Sequence, residues 1–466
     1  MSSLPPQTKF IVGNEACERF SFYGMRSILT LYMIHELDMT KAHSQSIMHG
    51  LIALNYTMPL LGGWIADRFL GRYRTILYVS LFYCLGHAIL AATDLFSSLD
   101  VRRLILYAGL LIIAMGSGGI KPSVSAFVGD QMQGADKRTM TKAYAAFYWS
   151  INLGSFFSFL VIPFVSKMYG YAWAFAIPGF AMGLATYIFW LGRKRYLMVP
   201  PKREKPGHGL VVTYLTAVRR GWSETERLLG AEAVEQGRNM LRILAVFAMI
   251  IPFWSLFDQT ASSWVIQGES MRPIVLNLNW LKEGASWTIG PQEFQSANPV
   301  FVMIFVPLLT MFVYPHIGKW GAPLKRMAAG IFIAALSYGA VAWLQWRLAQ
   351  GVPLSIAWQI IPYFLLTMAE ILVSVTGLEY AFTQASPAMK STTTSFWNLT
   401  STFGNLLVVG LTLLFANNSV STAMFSTYGL LMLAVGILFL CVIRSLQRQS
   451  DAAQRQRARD GAGKPA

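Results

Sequence analysis

The first long apolar stretch of the chain reads KFIVGNEACERFSFYGMRSILTLYMIH and covers residues 9–35. It is long enough to cross a bilayer, because about 20 mostly apolar residues span the hydrocarbon core. After Lys9 at its start, four charged side chains lie inside it: Glu15, Glu18, Arg19 and Arg26. Their spacing places them on one face of a helix. A membrane helix with one charged face is typical of a bundle that surrounds a polar cavity.

The composition places the chain among membrane proteins rather than soluble ones. Of its 466 residues, 54% are hydrophobic and only 13% are charged. That charged share is about half of what globular domains carry, and the mean hydropathy is +0.45. Too few charges remain to cover two or three soluble domains with a polar surface. Cys17, Cys84 and Cys441 lie far apart in apolar stretches, so we interpret them as packing residues.

Twelve stretches have the length and apolarity of membrane spans. They are 9–35, 46–70, 74–95, 103–128, 142–166, 171–192, 240–266, 297–317, 325–348, 356–382, 392–416 and 423–444. The sequence therefore predicts an all-α polytopic membrane protein. We expect no cleavable signal peptide, because the first apolar run is long and carries charges.

A polar segment divides the twelve spans into two groups of six. Residues 193–239 are rich in charge and proline, and 223–238 within them has the pattern of a short surface helix. We therefore expect an N-terminal six-helix bundle in 1–192, a cytoplasmic linker in 193–239 and a C-terminal bundle in 240–446. The tail, 447–466, is rich in Ala, Gln and Arg and is predicted to be disordered.

The distribution of Lys and Arg predicts the orientation in the membrane. If the N-terminus is cytoplasmic, the tails and the loops on that side carry 28 of the 38 Lys and Arg, and the opposite loops carry 7. Basic residues concentrate on the cytoplasmic side of membrane proteins, so both termini are expected there. The net charge of +16 then faces the anionic inner leaflet. Nucleic-acid binding is not needed to explain it.

The loop after the second span combines glycines with charges of both signs. Asp67 is followed by Arg68 and Arg72, after the pair Gly62 and Gly63. Glycines permit tight turns and close helix approach, and an ion pair here would lock two helices in one state. We therefore predict a gating loop formed by Asp67, Arg68 and Arg72. Residues 318–326 carry a partial copy of the pattern, as two related halves would.

Ionisable groups inside the spans need a functional reason, because a central charge costs at least about 2.5–3.5 kcal/mol. In the first span, Glu15 and Glu18 share a single base, Arg19. One carboxylate is in excess, so the cluster can exchange a proton. His49, two helical turns before Tyr56, titrates near neutrality and is a second candidate, with plain packing as its alternative.

The remaining buried charges differ in sign between the halves. Arg26 and Lys121 belong to the first half, and Asp258 and Glu370 to the second. Lys121 precedes a proline and is expected beside a break in its helix, a position suited to an anionic ligand group. A cavity between the halves would be positive on one wall and negative on the other. A zwitterion with a free carboxylate and a free ammonium, such as a short peptide, fits that field.

The first span resembles a specific family motif. The stretch Glu15-Ala-Cys-Glu18-Arg19-Phe20-Ser-Phe22-Tyr23-Gly24 is similar to the ExxERFxYYG motif of the proton-dependent oligopeptide transporter (POT) family, with Phe22 in place of the first Tyr. Further matches are Gly119-Ile120-Lys121-Pro122, Ile151-Asn152-Leu153-Gly154, Phe253-Trp254-Ser-Leu-Phe257-Asp258-Gln259, Ser296-Ala-Asn298-Pro299, Glu370 with Gly377-Leu378-Glu379-Tyr380, and Met389-Lys390-Ser391 with Phe396-Trp397.

The resemblance implies a major facilitator fold and the symport of protons with di- and tripeptides into the cell. By position, it implies that the substrate is bound by Tyr23, Arg26, Tyr56, Lys121, Asn152, Trp254, Asn298, Glu370, Trp397 and Ser401. It implies that protons are coupled through Glu15, Glu18, Arg19, His49 and Asp258. No cofactor besides the coupling protons is expected.

Within the family, three features are similar to the mammalian branch: His49, Asp258 where bacterial members usually have Glu, and a linker too short for two extra helices. Arg242 also resembles a conserved arginine of that branch, but Thr310 stands where its acidic partner is expected. We expect a monomer in the cell membrane, with peptide-like drugs as further substrates.

Two alternatives remain open on the sequence. The first is a proton-coupled anion symporter of the nitrate type, which would not need Glu370 opposite Lys121. The second is a membrane sensor that binds peptide without moving it. An intramembrane enzyme is disfavoured, since we recognise no Ser/His/Asp set, metal cluster or catalytic acid pair in the sequence.

Overall fold

The computed structural model describes residues 4–201, 210–277, 279, 286–318, 322–385, 389–415 and 420–462. Within these ranges the chain is mostly helical. The helices of the first half are α1 (Thr8–His35), α2 (Lys41–Ile65), α3 (Arg72–Ala91), α4 (Leu99–Gln131), α5 (Lys137–Tyr169) and α6 (Tyr171–Leu191). The later helices are α7 (Leu210–Arg220), α8 (Trp222–Leu229), α9 (Ala231–Phe257), α10 (Ser263–Glu269), α11 (Pro291–Phe294), α12 (Ala297–Leu308), α13 (Pro323–Ala349), α14 (Ile360–Glu370), α15 (Thr376–Gln384), α16 (Lys390–Leu414) and α17 (Thr422–Ala462).

Each half has its own apolar core. One cluster of buried side chains extends from Ile11 to Tyr196, and the other from Met240 to Ile443. In the first half, α1 packs against α5 and α6, and α3 packs against α4 and α6. Gly62 of α2 meets Gly119 of α4 so closely that an added Cβ would lie 2.3 Å from the Gly119 Cα. The glycine of the predicted gating loop therefore permits a close helix crossing.

Short polar residues define several helix starts. Thr40 caps α2 by accepting a hydrogen bond from the His43 amide, and Asp136 caps α5 by accepting one from the Thr139 amide at 3.3 Å. Hydrogen bonds from Thr139 hold the pKa of the exposed Asp136 below its usual value. The cap separates the end of α4 from the next helix across a turn of only a few residues.

In the described residues, ten helices are long and apolar enough to cross a membrane. The helices α1 and α2 are not among these ten because they are less apolar, although they are 28 and 25 residues long. The reason for α1 is its charged face. A helix rises about 1.5 Å per residue, so both are as long as a bilayer core is thick.

A hairpin and short helices lie between α9 and α12. The chain leaves α9 at Asp258 through one 3₁₀ turn, Asp258–Ala261, before α10 begins. Strands β1 (Ile274–Asn277) and β2 (Ser286–Ile289) then pair antiparallel, with Ile274 opposite Ile289 and Asn277 opposite Ser286. Asp258 thus lies where the helical ladder of α9 ends.

The described part of the chain contains three short π-helical segments, Ala66–Leu70, Leu309–Val313 and Ile371–Val375. The first holds Asp67 and Arg68 of the predicted gating loop, and the last directly follows Glu370. Such segments widen the helix by one residue and are frequent at functional sites. The helix α4 is continuous past Lys121, so the predicted break beside this lysine is wrong. Membrane helices tolerate proline when neighbouring helices and waters satisfy the freed carbonyl.

The linker and the tail differ from their predicted forms. The expected surface helix 223–238 is divided by Gly230, which has a φ of +90°, into α8 and the first turns of α9. Residues 202–209 lie outside the described part, as do 319–321 of the loop pattern in the second half. The tail from 447 continues α17 through Ala462, consistent with the high helix propensity of Ala, Gln and Arg.

Candidate functional site

A cavity of about 140 Å³ lies between the two halves. Helices α1, α2 and α5 line one wall, and α9, α12 and α14 line the other. The predicted site residues that line it are Tyr23, Arg26, Tyr56, Asn152, Trp254, Asp258, Asn298 and Glu370. Residues scattered over most of the chain therefore share one polar cavity.

The three charged residues of the α1 motif form a closed cluster inside the first half. The Nε of Arg19 lies 2.8 Å from Oε1 of Glu15 and 2.7 Å from Oε2 of Glu18. All three side chains are buried. Oε2 of Glu15 and Oε1 of Glu18 have no hydrogen-bond partner among the described residues. One guanidinium thus serves two carboxylates, and acceptor capacity is left over for a proton.

A second charged cluster joins the halves. Nη2 of Arg26 on α1 lies 2.9 Å from Oδ1 of Asp258, at the end of α9. The other carboxylate oxygen of Asp258 accepts a hydrogen bond of 2.8 Å from Nδ2 of Asn405 on α16. Both side chains of the ion pair are less than a tenth exposed. Removing one partner of such an ion pair strongly destabilises the folded protein, because the other charge stays buried without a counter-charge.

His49 belongs to the same network. Its Nδ1 lies 2.7 Å from Oδ1 of Asn405, and its Nε2 lies 2.8 Å from Oγ of Ser262. The Asn405 amide group donates to Asp258 and to the Ser401 carbonyl, which fixes Oδ1 as the acceptor. Nδ1 of His49 must then carry a proton, and Ser262 donates to Nε2 when the ring is neutral. His49 and Asp258 are therefore connected through one amide.

Glu370 lies on the opposite wall of the cavity from Arg26. Its Oε2 accepts a hydrogen bond of 2.8 Å from Nδ2 of Asn298, and the same amide reaches Oγ1 of Thr367 at 3.1 Å. Asn298 thus orients the carboxylate without neutralising it. The carboxylate can bind a cationic ligand group in the cavity.

Lys121 is held by aromatic rings beside the cavity. Its Nζ lies 4.6 Å from the ring centre of Phe22 and 4.7 Å from that of Tyr56. Both distances are within the range of cation–π attraction. At the position where this chain departs from the family motif, a ring face rather than a hydroxyl contacts the lysine. Lys121 does not itself line the cavity.

Of three other predicted substrate residues, one lines the cavity and two lie behind its surface. Asn152 lines the cavity and donates to the Tyr148 carbonyl at 3.0 Å. Trp397 packs against Trp254, with ring centres 6.2 Å apart, and is buried behind it. Ser401 is buried and is not part of the cavity lining. The structure therefore groups Trp397 and Ser401 with the wall of the cavity rather than its surface.

In the predicted gating loop, Arg72 lies closer to an aspartate of α4 than to Asp67 of the loop itself. Nη2 of Arg72 is 3.8 Å from Oδ1 of Asp67, whereas Nη1 of Arg72 is 2.5 Å from Oδ1 of Asp130 on α4. Arg68 is exposed. The close ion pair thus ties the start of α3 to the end of α4 within the first half.

Sequence reasoning missed several residues that the structure places in the network or at the junction of the halves. Asn405 and Ser262 are short polar residues without an overt motif, although Asn405 shares a helix face with Ser401. Near the far end of the junction, Lys167 of α5 pairs with the buried Glu293, and His35 of α1 pairs with Glu269 of α10. The feature of the sequence that could have indicated Asn405 is its position four residues after Ser401, on the same face of α16.

The helices and the cavity define a multi-pass membrane protein with a polar site between two helical halves. A sequence model described as the POT family matches residues 73–229 and 223–431. The chain therefore belongs to the POT family, as the first-span motif predicts.

Related proteins carry peptide transporter names. The chain is 33% identical to Peptide transporter 3 of Caenorhabditis elegans over 74% of its own length and 51% of that protein. It is 33% identical to mouse solute carrier family 15 member 2 over 86% of its length and 56% of that protein. The chain thus spans about half the length of the curated relatives it matches. These relatives are transporters, not enzymes.

Solved structures share the fold. A crystal structure of the POT family transporter PepTSo is 37% identical, with a TM-score of 0.82 over 96% of this chain and 99% of that one. A peptide transporter POT crystallised with alafosfalin is 25% identical, with a TM-score of 0.78 over 95% of each chain. The similarity covers both halves and the cavity between them.

Proposed function

We propose that this protein is a proton-coupled symporter that imports di- and tripeptides across the cell membrane by alternating access. The observation that carries the proposal is the cavity, with Arg26 and Asp258 joined on one side and the anionic Glu370 on the other. The peptide transporter names of the relatives support the same substrate class. Protons serve as the coupling ion, and no other cofactor is part of the proposal.

The proposed fold is a major facilitator fold of twelve spans in two six-helix bundles. The helices α1 and α2 are counted as spans because their length suffices and their polar side chains face the interior. Charged residues inside membrane segments face bundle interiors or water-filled cavities. The bias of 28 to 7 basic residues supports cytoplasmic termini.

In this proposal the peptide carboxylate binds on the side of Arg26 and Lys121. The peptide ammonium binds Glu370, with Asn298 and Asn152 contacting the amino end and backbone. Charge-assisted hydrogen bonds at both ends are roughly twice as strong as neutral ones. A substrate that lacks one charged end, or that is too long to bring both ends to the two walls, is disfavoured. Tyr23, Tyr56 and Trp254 shape the space for side chains, supported by Trp397 and Ser401.

The coupling step is the release of Arg26 from Asp258. A proton on Asp258 removes the charge that holds Arg26, and the halves can then separate on that side. His49 communicates with Asp258 through Asn405, and the cluster of Glu15, Glu18 and Arg19 provides a second proton site. The gradient supplies about 1.4 kcal/mol per pH unit, and the potential adds about 2.3 kcal/mol per charge per 100 mV. Together these suffice for tenfold accumulation.

The contacts between the halves indicate which side is closed. Arg26–Asp258, His49–Ser262, His35–Glu269 and Lys167–Glu293 all lie toward the ends of α1 and α5 and the start of α2. In the proposed orientation these ends face the outside. The described conformation is therefore proposed to be closed to the outside, with the cavity accessible from the cytoplasm.

Uptake of labelled dialanine into proteoliposomes tests the proposal, with acid outside, a negative interior and a protonophore as control. We expect protonophore-sensitive accumulation that tripeptides inhibit and that free alanine or tetrapeptides do not. A Glu370→Gln variant should lose most of this uptake, because the peptide ammonium loses its counter-charge. Binding of peptide without any acid-driven uptake would instead support a membrane sensor.

The Glu370→Gln variant also distinguishes a peptide symporter from the alternative, an anion symporter. A nitrate-like carrier does not use a carboxylate opposite its basic residues, so Glu370→Gln would leave its uptake intact. Uptake of nitrate by the wild type, undiminished in Glu370→Gln, would overturn the peptide assignment. Peptide-like compounds and a monomeric state belong to the proposal and are tested by competition and by light scattering.

A further inference from the structure

A second space lies away from the peptide cavity, on the outer side of the second half. Its volume is about 590 Å³. The π-helical segment after α12 forms one side, α13 another, and the middle of α17 a third. Leu309, Val313, Phe332, Leu372 and Leu440 are representative of its walls. We call this space the outer groove.

The chemistry of the outer groove is divided between its walls and its rim. The walls are almost entirely apolar, but Lys325, Arg326 and Arg444 also line it. No carboxylate is among the described lining residues. Glu379 pairs with Arg326 beside the groove, but the three charged side chains that line it are all basic. This combination matches an amphiphile that has an anionic head. Phospholipids with acidic head groups have this chemistry.

Arg326 is a built part of the groove rather than a surface charge. It is only 9% exposed, lies 4.7 Å from the Tyr314 ring, and donates to Oε2 of Glu379 at 2.6 Å. Its Nε is buried and has no hydrogen-bond partner among the described residues. A buried donor without a partner is uncommon in folded proteins. It is a candidate donor to a ligand head group beside Arg326.

The basic residues lie where apolar segments end. Lys325 is in the first turn of α13, which begins at Pro323. Arg444 is exposed at the end of the apolar part of α17, whose span-like stretch ends at Ser445. In a membrane protein this is the level of the lipid head groups. Met311 and Phe312 of the π-helical segment Leu309–Val313, 68% and 69% exposed, are neighbours in sequence of the lining residues Leu309 and Val313.

We propose that the outer groove binds an anionic phospholipid of the cytoplasmic leaflet, with an acyl chain along the walls and the phosphate at Lys325, Arg326 and Arg444. The leaflet assignment depends on the orientation given under the proposed function; the binding chemistry does not. Met368 and Leu372 line the groove on either side of Glu370 in sequence. A lipid in the groove therefore packs against the turn that carries the proposed peptide-binding carboxylate.

Lipid binding to the purified full-length protein tests this proposal directly. Native mass spectrometry would compare dioleoyl phosphatidylglycerol with dioleoyl phosphatidylcholine at equal concentrations. We expect the wild type to retain the anionic lipid at least about tenfold better, since each basic group near a membrane surface contributes about fivefold and three line the groove. Equal retention of the two lipids would overturn the proposal.

Two variants locate the binding. The double variant Lys325→Gln with Arg444→Gln should lose most of the preference, and Ala329→Phe, at an exposed lining position, should block the groove while leaving the charges in place. The matched control is Arg138→Gln with Lys194→Gln, two exposed basic residues of the first half. An equal loss in this control would overturn the site, because general surface charge would then explain the binding.

The source of the anionic group is tested separately. Millimolar inorganic phosphate and the chain-free glycerophosphoglycerol head group should not displace the lipid, since the apolar walls contribute to its binding. Displacement by inorganic phosphate would overturn the lipid assignment. Thermal unfolding of each variant verifies that it is folded. The assay counts bound lipid and not uptake, so its failure is distinct from a failure of the transport proposal.

Discussion

The single helix α1 carries two charged clusters that differ in where their partners lie. Glu15, Glu18 and Arg19 bind one another within the same helix. Arg26, two turns later, binds Asp258 from the other half of the molecule. The first cluster can persist while the halves move as rigid bodies, and the second must break. The helix α1 thus carries one cluster whose contacts stay within the first half and one ion pair that joins the two halves.

The two clusters also differ in balance. In the α1 cluster Arg19 is the one base paired with two acids, Lys121 of α4 interacts electrostatically with Glu18, and carboxylate oxygens remain without hydrogen-bond partners among the described residues. In the cluster between the halves, Asp258 has a partner for each oxygen, and Asn405 and His49 extend the network to Ser262. A carboxylate oxygen without a partner favours proton exchange, and a carboxylate with a partner for each oxygen favours one defined conformation. We expect substitutions to separate these two roles.

The largest effect is expected from Arg26→Gln. It leaves the buried carboxylate of Asp258 without its counter-charge, and breaking a buried ion pair costs about 3–5 kcal/mol. The same change removes the cation that is proposed to bind the peptide carboxylate. Uptake of labelled dialanine should fall by at least about a hundredfold. Initial rates in proteoliposomes under a fixed acid gradient would measure it.

Arg26→Lys is the matched control for that change, because it keeps the charge and loses the planar guanidinium. It should retain more uptake than Arg26→Gln. If both variants transport equally well, the link between the halves does not depend on this charge, and the contrast between the clusters does not hold.

Glu18→Gln should act on coupling rather than on binding. It removes one of the two carboxylates that share Arg19, so the cluster loses its excess acid. Wild-type uptake should rise as the outer pH falls, and the variant should show little such rise. A gradient of one pH unit supports about tenfold accumulation, which the variant should lose. Exchange of external for internal peptide, which needs no net proton movement, should continue.

Glu224→Gln, in the exposed α8, is the control for Glu18→Gln and should keep both activities. A Glu18→Gln protein that still accumulates peptide with the acid gradient would show that the proton site lies in the other cluster. Loss of exchange together with accumulation would instead show that Glu18 is needed for the fold or for binding.

Asn405→Ala should have an intermediate effect. It removes the amide that connects His49 with Asp258, but it leaves the ion pair between Arg26 and Asp258 in place. Hydrogen bonds to charged groups contribute about 1.5–3 kcal/mol each, so uptake should fall roughly tenfold or more. Thr412→Ala is the control, since Thr412 is buried on the same helix and its hydroxyl has no described hydrogen-bond partner. An Asn405→Ala protein as active as this control would separate His49 from the coupling network.

Spacing along the chain predicted the α1 cluster because all its members share one helix face. The same reasoning predicted opposite charges in the two halves, and the structure lines the cavity with Arg26 and Glu370. It did not predict Asn405 as the bridge, or Asp130 as the closest partner of Arg72. Helical periodicity indicates which side chains share a face, but it does not indicate which helices meet. The aromatic surroundings of Lys121 likewise depend on the packing of α1, α2 and α4.

The smallest effect is expected from Glu269→Gln, which removes the pair with His35 at the end of α1. This pair also joins the halves, but the two side chains are 49% and 35% exposed, unlike the buried pair of Arg26 and Asp258. Exposed ion pairs contribute about 0–1 kcal/mol, so uptake should change less than about fivefold, and high salt should reduce the wild-type advantage further. A loss of uptake as large as that of Asn405→Ala would contradict this expectation. It would mean that the exposed pair of His35 and Glu269 matters as much for transport as the buried network around Asp258.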